Sequence, residues 1–252
     1  MSLAGRTILV TGAGRGLGRA FAEACAAAGA ERIVVADVRA DWGEAAVEAL
    51  ARAGAKAVFL PVDLADPQSI EAFADKMGAR YGHLDGLVNN GAIATGIGGK
   101  TFEEIDIETW DKVMSVNVRG TWLMTKAMAP LLRKSTLGGR IVNVASDTAL
   151  WGAPRLLHYV ASKGAVISMT RSLARELGPD NIAVNAIAPG LVKVEATDYV
   201  PEDRKQLYVT GRAMQRTQMP EDVTGVVVFL LGQGAGFVTG QLLPVNGGFV
   251  LN

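Results

Sequence analysis

The chain has 252 residues and a formal net charge of zero, so there is no electrostatic case for binding nucleic acid or an anionic membrane. Hydrophobic residues make up 49% and charged residues 20%, which is typical of a soluble α/β protein, and no apolar run reaches the roughly 20 residues that a membrane span needs. The only cysteine, Cys25, cannot form an internal disulfide, and the first strand leaves no room for a signal peptide, so we expect a cytoplasmic protein.

The start of the chain predicts a strand, a glycine-rich turn, a helix and a second strand. Thr7–Thr11 is a short β-branched and apolar run, Arg19–Ala28 is rich in alanine, and Ile33–Ala36 is the next apolar run, ending at Asp37. The turn after the first strand contains Gly12, Gly16 and Gly18. A phosphate is favoured there by the helix N-terminus, and the Asp37 carboxylate can accept a hydrogen bond from an adenosine ribose. This βαβ unit therefore predicts a dinucleotide site.

The rest of the chain continues to alternate apolar runs with helical patterns. The further predicted strands are Val58–Val62, Leu84–Asn89, Arg140–Ala145, Ile182–Ile187 and Gln241–Val245. The further predicted helices are Ser69–Tyr81, Glu108–Lys134, His158–Leu177 and Pro220–Leu231. This alternation predicts a single-domain α/β chain over residues 1–252, a doubly wound Rossmann fold whose parallel seven-stranded sheet is flanked by helices.

Tyr159 and Lys163 lie four residues apart on a predicted helix, so their side chains share one face. A phenol normally titrates near ~10, and a fixed cation beside it is expected to lower its pKa toward the working range. Ser146, at a neighbouring strand end, could hold a substrate oxygen against the same phenol. Tyr-x-x-x-Lys is also a common surface pair, so the pair alone does not decide between catalysis and a solvated helix face.

The T-G-x-x-x-G-x-G turn, NNGA (Asn89–Ala92), Asn117, the Tyr-x-x-x-Lys pair and Pro189–Gly190 together resemble the short-chain dehydrogenase/reductase family over essentially the whole chain. The resemblance implies hydride transfer between a nicotinamide and a substrate carbon, with Asn117, Ser146, Tyr159 and Lys163 as catalytic residues. Lys163 would also hold the nicotinamide ribose, and Asn117 would hold a water in a proton relay. The implied cofactor contacts are Gly12, Arg15, Gly16, Leu17, Gly18, Asp37, Asp63, Leu64, Asn90, Gly91, Ala92, Tyr159, Lys163, Pro189, Gly190 and Val192.

Two positions depart from the family pattern. The family usually reads Asn-Asn-Ala-Gly, whereas here Gly91 precedes Ala92, which could change the local dihedral angles. Four residues after Gly190 the family often has a threonine near the carboxamide, and this chain has Val194. That contact would then depend on backbone groups, with the Thr197 hydroxyl as an open alternative.

The cofactor preference has two opposing signals. Asp37 would accept from a ribose 2′-hydroxyl and repel a 2′-phosphate, which favours NAD. Arg15 and Arg39 could instead attract that phosphate, as basic residues do in relatives that use NADP. Because an unpaired carboxylate facing a phosphate is the costlier arrangement, we expect NAD, with NADP possible. No metal is expected, since one cysteine and two isolated histidines have no zinc-like spacing.

The substrate pocket is expected between the loop 147–157 and a lid segment, 191–218. Thr148, Trp151 and His158 are its candidate residues, and the apolar loop favours a small hydrophobic, cyclic or aromatic secondary alcohol or ketone. A 3-oxoacyl-[acyl-carrier-protein] reductase is the alternative, for which the basic residues Arg133, Lys134, Arg171 and Arg175 could form the entrance patch. A non-catalytic dinucleotide sensor is the remaining alternative. A homo-oligomer is expected, and the resemblance favours a tetramer.

Overall fold

The computed structural model describes residues 1–251, and these form one seven-stranded parallel sheet with the order β3-β2-β1-β4-β5-β6-β7. The strands are β1 (Thr7–Thr11), β2 (Arg32–Asp37), β3 (Ala57–Pro61), β4 (Gly86–Asn89), β5 (Gly139–Val144), β6 (Ile182–Pro189) and β7 (Leu242–Val245). The chain runs outward from β1 to β3 and then returns to pair β4 with the other side of β1. A crevice therefore opens outside the carboxyl ends of β1 and β4. The predicted single-domain Rossmann fold is confirmed.

Helices cover both faces of the sheet. They are α1 (Gly16–Ala27), α2 (Ala40–Arg52), α3 (Pro67–Tyr81), α4 (Ile107–Met114), α5 (Thr121–Leu132), α6 (Thr148–Trp151), α7 (Leu157–Leu177), α8 (Glu202–Gly211) and α9 (Glu221–Leu231). Helices α1, α2 and α9 pack on one face, while α3, α5 and α7 pack on the other. Central strands are buried on both sides, which explains why they read as continuous apolar runs. Among residues 1–251, no helix is long and apolar enough to cross a bilayer.

The predicted long helix Glu108–Lys134 is divided in the structure. It consists of α4, a π-helical stretch over Ser115–Gly120, and α5. The π-helical stretch ends at Gly120, which lies close to the loop after β3. A Cβ at this position would be 2.6 Å from the Leu64 carbonyl oxygen, so the close approach depends on glycine. Wide helical turns of this kind are frequent at functional sites. Periodicity alone could not show this interruption.

Helix α2 was not predicted, and helix α1 begins earlier than expected. Gly43 weakens the helical pattern of α2, yet its missing side chain makes room for the Phe59 ring of β3. Helix α1 begins at Gly16 instead of Arg19, so the glycine-rich turn itself forms the first turn of the helix. That early start brings the backbone N–H groups of the helix to the carboxyl end of β1.

Candidate active site

A continuous cleft lies outside the carboxyl ends of the parallel strands. Every residue expected at the cofactor lines it: Gly12, Arg15, Gly16, Leu17, Gly18, Asp37, Asp63, Leu64, Asn90, Gly91, Ala92, Tyr159, Lys163, Pro189, Gly190 and Val192. Ser146 and Thr148 line it as well. The sheet thus brings into one cleft residues that are as much as 180 positions apart, from Gly12 to Val192.

The glycine turn has the shape of an anion site. Gly12 and Gly16 have φ angles of +62° and +55°, which residues with a Cβ rarely adopt. A Cβ on Gly18 would overlap the Gly12 carbonyl oxygen. The Gly16 N–H donates to the Glu195 carboxylate at 2.8 Å, so this helix terminus already binds an anionic group from the chain itself. These N–H groups fit the diphosphate of a dinucleotide.

The far end of the cleft is built around Asp37. Its carboxylate accepts from the Gly14 and Arg39 N–H groups, each at 3.0 Å, and retains acceptor capacity for a ribose hydroxyl. The guanidinium groups of Arg15 and Arg39 lie 4.0 and 4.8 Å from the Trp42 ring centroid. Arg39 also pairs with Asp41 at 2.8 Å. Both arginines are thus held beside Asp37 by aromatic stacking.

The reversed Gly91–Ala92 order has a steric explanation. A Cβ on Gly91 would lie 2.7 Å from Leu64 Cδ1 and 3.3 Å from the Gly12 nitrogen. The N–H groups of Asn90 and Gly91 both donate to Thr11 Oγ1 at 3.0 Å. The glycine therefore leaves room for the Leu64 side chain where this loop crosses the end of β1.

Tyr159 and Lys163 lie on α7 and face the strand end that carries Ser146. The Lys163 ammonium is buried, at 4% exposure, and donates to the Val144 carbonyl oxygen at 2.7 Å. It lies 5.6 Å from the Tyr159 ring centroid. The Ser146 hydroxyl accepts from Thr148 Oγ1 at 2.9 Å. One wall of the cleft therefore presents a phenol, an alcohol and an ammonium.

The expected lowering of the Tyr159 pKa by Lys163 is wrong for the protein's own groups. Burial raises the pKa of Tyr159 to about 12, and hydrogen bonding with Ser146 only partly offsets this rise. Burial also lowers the pKa of Lys163 to about 8, so the side chain loses its proton more readily than an exposed lysine. The sequence pattern places the cation correctly but cannot show how strongly the site is desolvated. The phenol is consequently a protonated donor at neutral pH.

Asn117 lies in the π-helical stretch and is buried behind the cleft wall. Its Oδ1 accepts from the Ile93 N–H at 2.7 Å, and its Nδ2 donates to the Ile93 oxygen and to Ser162 Oγ, each at 3.1 Å. Its backbone carbonyl accepts from Thr121 Oγ1 at 2.8 Å. The side chain thus holds the loop 91–99 against α7, which is a contact that sequence reasoning did not foresee.

Two candidate pocket residues do not line the cleft. His158 is completely buried, because it projects from α7 away from the face that carries Tyr159. Trp151 packs edge-on against Tyr208 and Phe249, with ring centroids 6.2 and 5.6 Å away. Both expected pocket contacts are therefore corrected: these residues pack behind the cleft, and of the three candidates only Thr148 lines it.

The cleft also has lining residues that the sequence analysis did not assign individually. Trp42 from α2 and Ile93 from the loop 91–99 were not predicted, whereas Leu156 lies in the predicted loop 147–157 and Tyr199, Arg204 and Tyr208 lie in the predicted lid segment. The Tyr199 hydroxyl donates to the Ala94 oxygen at 2.8 Å, which joins the lid segment to the loop 91–99. The sequence does contain a signal for Trp42, since it is an aromatic residue five positions after Asp37, and basic residues lie on both sides of Asp37 in the sequence. The Thr197 hydroxyl donates back to Val192 and Val194 in its own turn.

The polar groups of the site fit a nicotinamide dinucleotide: a backbone anion site, the Asp37 carboxylate, and a lysine and a tyrosine at the other end. Within residues 1–251, no cluster of three histidine, cysteine, aspartate or glutamate residues could hold a metal ion. The hydroxyl groups of Ser146 and Tyr159 are donors that can polarise a carbonyl oxygen.

Known proteins share this architecture over their full length. A family model described as enoyl-(acyl carrier protein) reductase matches residues 12–250. The chain is 34% identical to the 3-oxoacyl-[acyl-carrier-protein] reductase FabG of Aquifex aeolicus, with 98% of each chain covered. It is 36% identical to the 2,5-dichloro-2,5-cyclohexadiene-1,4-diol dehydrogenase of Sphingobium indicum, again with 98% of each covered.

A solved structure agrees with the sequence comparisons. It is that of a candidate NAD(P)-dependent gluconate 5-dehydrogenase from Beutenbergia cavernae with NADP bound at low occupancy. It superposes with a TM-score of 0.90 at 35% identity, with 98% of each chain covered. Together with the site geometry, these full-length similarities show that the chain belongs to the short-chain dehydrogenase/reductase family and is an oxidoreductase that uses a nicotinamide dinucleotide.

Proposed function

We propose that this chain interconverts a secondary alcohol and a ketone, with NAD as the preferred cofactor. The observation that carries the proposal is the wall formed by Ser146, Tyr159 and Lys163, which lies in the same cleft as the glycine turn. The bound nicotinamide would supply or accept the hydride. Tyr159 would give a proton to the carbonyl oxygen, or take one from the alcohol, while Ser146 Oγ holds that oxygen in place.

The raised pKa of Tyr159 favours its role as a proton donor. A phenol with a pKa of about 12 is fully protonated at neutral pH, so reduction begins with the acid in the correct form. For oxidation the same phenol must first lose its proton, which becomes easier as the pH rises. The Lys163 ammonium, fixed by the Val144 carbonyl, would stabilise the phenolate while it exists.

The groups on the reaction side support the proposed substrate class. Ile93, Leu156, Tyr199 and Tyr208 supply apolar and aromatic surface, whereas Arg204 is the cation of the lid segment that lines the cleft. This mixture supports a small hydrophobic, cyclic or aromatic substrate. The similarity to a dehydrogenase of a chlorinated cyclohexadiene diol supports a ring-bearing alcohol.

The preference for NAD is supported by the Asp37 carboxylate, which lines the cleft and would face a 2′-phosphate as a like charge. Arg39, one of the two arginines that could attract that phosphate, is already paired with Asp41 through two hydrogen bonds. The relative with bound NADP shows that the same fold accepts the phosphorylated cofactor. The ratio of kcat/KM for NAD and NADP is the direct measurement.

The test is an absorbance assay at 340 nm with cyclic, aromatic and β-keto substrates and both nucleotides. We expect turnover of at least one cyclic or aromatic secondary alcohol with NAD. Tight NADH binding without turnover over the whole panel would contradict the proposal and favour a dinucleotide sensor.

Tyr159→Phe is the decisive variant, because it removes only the proton-transferring oxygen. General acid–base catalysis contributes about 100- to 10,000-fold, so kcat should fall by about 1000-fold. The dissociation constant for NADH, measured by fluorescence, should change less than threefold. Residual turnover above a tenth of wild type would contradict the role of the phenol.

A 3-oxoacyl-[acyl-carrier-protein] reductase is the second candidate, favoured by the 34% identity to FabG. The proposed basic patch is weakened, since Arg133 is paired with Asp180 at 2.6 Å. Acetoacetyl thioesters of acyl-carrier protein and of coenzyme A separate the two functions. A much higher kcat/KM for the carrier-protein thioester than for any ring ketone would favour the reductase.

We further propose a homo-oligomer, with a tetramer as in relatives. Phe102, Ile107 and Trp122 leave apolar side chains exposed on and before α4 and α5, with Trp122 at 47% exposure. Sedimentation velocity would give the copy number, and a monomer at micromolar concentration would contradict the proposal.

A further inference from the structure

Asp147 follows Ser146 directly and is completely buried. Its backbone N–H donates to the Pro189 carbonyl oxygen at 3.0 Å, which fixes the residue at the ends of both β5 and β6. Although Asp147 precedes α6, its side chain does not cap that helix. The carboxylate instead accepts from the Tyr208 hydroxyl of α8 at 3.1 Å. A buried carboxylate thus joins the lid segment to the residue beside the serine.

The second carboxylate oxygen lies among further donors. Three buried polar atoms here lack a hydrogen-bond partner within the described residues: Asp147 Oδ2, Trp151 Nε1 and Asn246 Nδ2. Both nitrogens lie beside the Asp147 carboxyl group. A Cβ on Gly190 would lie 3.0 Å from both Asp147 Oδ2 and Arg212 Nη2. The carboxylate is therefore surrounded by groups that donate hydrogen bonds or carry positive charge.

Arg212 and the aromatic rings extend this arrangement across three segments. The guanidinium donates to the carbonyl oxygens of Leu191, Arg216 and Asn246 at 2.9 to 3.1 Å. The Tyr208 ring stacks on Phe249, with centroids 4.6 Å apart. The end of α8 is consequently held to the start of the lid and to the segment after β7.

We propose that Asp147 is a positioning residue: its carboxylate holds α8 and the Gly190 turn against the end of β5 and thereby sets the position of Ser146. The inference rests on the proposed function, because it takes Ser146 to be the group that holds the substrate oxygen. Asp147 itself does not contact the substrate. It acts through the backbone that it shares with Ser146 and through Tyr208, whose side chain lines the cleft.

The charge of Asp147 depends on the groups that face it. They are Tyr208 and Arg212 from α8 and its end, Tyr159 from α7, Trp151 from α6, and Asn246 after β7. Burial raises the pKa of Asp147 to about 6, although the hydrogen bond from Tyr208, the nearby Asn246 amide and the charge of Arg212 oppose the rise. The carboxyl group is ionised above that pH and loses its charge as the pH falls through about 6. Its attraction to Arg212 is lost over that interval, so the position of Ser146 should change. Because burial raises this pKa, protonation does not itself undock α8.

The first test is Asp147→Asn, which keeps the shape of the side chain but places an NH2 group among donors. We expect kcat to fall about tenfold and the substrate KM to rise about tenfold, with NADH affinity within twofold of wild type. The wild-type enzyme should lose kcat/KM below about pH 6, and the variant should lack this acid limb. A variant with the wild-type acid limb and KM would overturn the inference.

Tyr208→Phe and Phe249→Leu separate the polar contact from simple packing. Tyr208→Phe removes a hydrogen bond that lowers the Asp147 pKa, so the acid limb should move to higher pH. Phe249→Leu disturbs the same aromatic cluster without touching the carboxylate, so the limb should stay in place. An equal shift in both variants would overturn the inference.

Hydrogen exchange of residues 202–211 in the full chain tests the inference without turnover. Because burial raises the pKa of Asp147, protonation favours the docked state, so the amides of α8 should keep or gain protection as the pH falls below about 6. Asp147→Ala removes the contact with Tyr208 and should lower the protection of α8 at every pH. Unchanged protection in the variant would overturn the positioning role even if the enzyme is active. A protected, pH-sensitive α8 in a chain that turns over no substrate would instead count against the proposed function alone.

Discussion

The two ends of the cleft are built by different means. The nucleotide end consists of backbone N–H groups and glycines from short contiguous stretches, among them residues 11–18 and 89–92. The reaction end consists of side chains from the segment after β5, from α7 and from the lid segment, which are far apart in sequence. Backbone sites need only a local conformation, whereas the reaction end needs the whole sheet to be assembled. A sequence motif is therefore enough to predict the nucleotide end, whereas the reaction end can be described only when the packing is also known.

The electrostatics of the two ends differ in the same way. At the nucleotide end Arg39 is exposed, pairs with Asp41 and stacks on Trp42. At the reaction end Lys163 and Asp147 are buried, and burial moves their pKa values toward neutrality. Variants at the reaction end should consequently affect turnover, while variants at the nucleotide end should affect binding.

Lys163→Met should have the largest effect among the variants that distinguish the reaction end from the nucleotide end. Loss of the buried cation should lower kcat about 100-fold, since it removes the group that stabilises the phenolate. The melting temperature should not fall, because an ammonium whose pKa is lowered to about 8 by burial costs folding free energy. Lys126→Met, on an exposed face of α5, is the matched control and should leave kcat unchanged. A drop of more than 5 °C in Lys163→Met alone would show that the lysine is mainly structural.

Gly18→Ala probes the nucleotide end, where the added methyl group would overlap the Gly12 carbonyl oxygen and crowd the Asn90 amide. We expect NADH affinity to fall by about 100-fold, or ~2.7 kcal/mol, because the turn must open. Fluorescence titration measures this change. Gly78→Ala on α3, where a Cβ meets no other atom within 4 Å, should leave affinity unchanged. Normal affinity in Gly18→Ala would mean that the turn does not contact the cofactor.

The alternation of strands and helices predicts the parallel sheet, and the family resemblance implies a set of cofactor residues that all line the cleft. Prediction from the sequence fails where function depends on the depth of burial. The spacing of Tyr159 and Lys163 suggests a lowered phenol pKa, but desolvation reverses the direction. His158 is fully buried and the partly buried Trp151 packs on Tyr208 and Phe249, since a single helical turn determines which side chains reach the cleft. The π-helical stretch around Asn117 has no periodicity that separates it from an α-helix.

Asp37→Ser tests cofactor choice. Removal of the carboxylate should raise the ratio of kcat/KM for NADP to that for NAD by about 10- to 100-fold, since a like charge at close range costs about 1–3 kcal/mol at the protein surface. Binding of NADPH and NADH, measured by calorimetry, should shift in the same direction. Asp41→Ser changes the net charge equally but lies outside the carboxylate contact, so its ratio should move less than threefold. Equal shifts in both variants would point to general electrostatics rather than recognition by Asp37.

Glu195→Gln should give the smallest effect and the clearest link between the two ends. Glu195 belongs to the lid segment, yet its carboxylate accepts from the Gly16 N–H where a diphosphate would bind. A charge at a helix N-terminus is worth about 0.3–1 kcal/mol, so neutralising this competitor should tighten NADH binding by about two- to fivefold. Glu23→Gln on α1, which is paired with Arg19, has the same charge change and should not alter affinity. Weaker binding in Glu195→Gln would mean instead that the glutamate supports the cofactor, and that the lid closes over the nucleotide without giving up this contact.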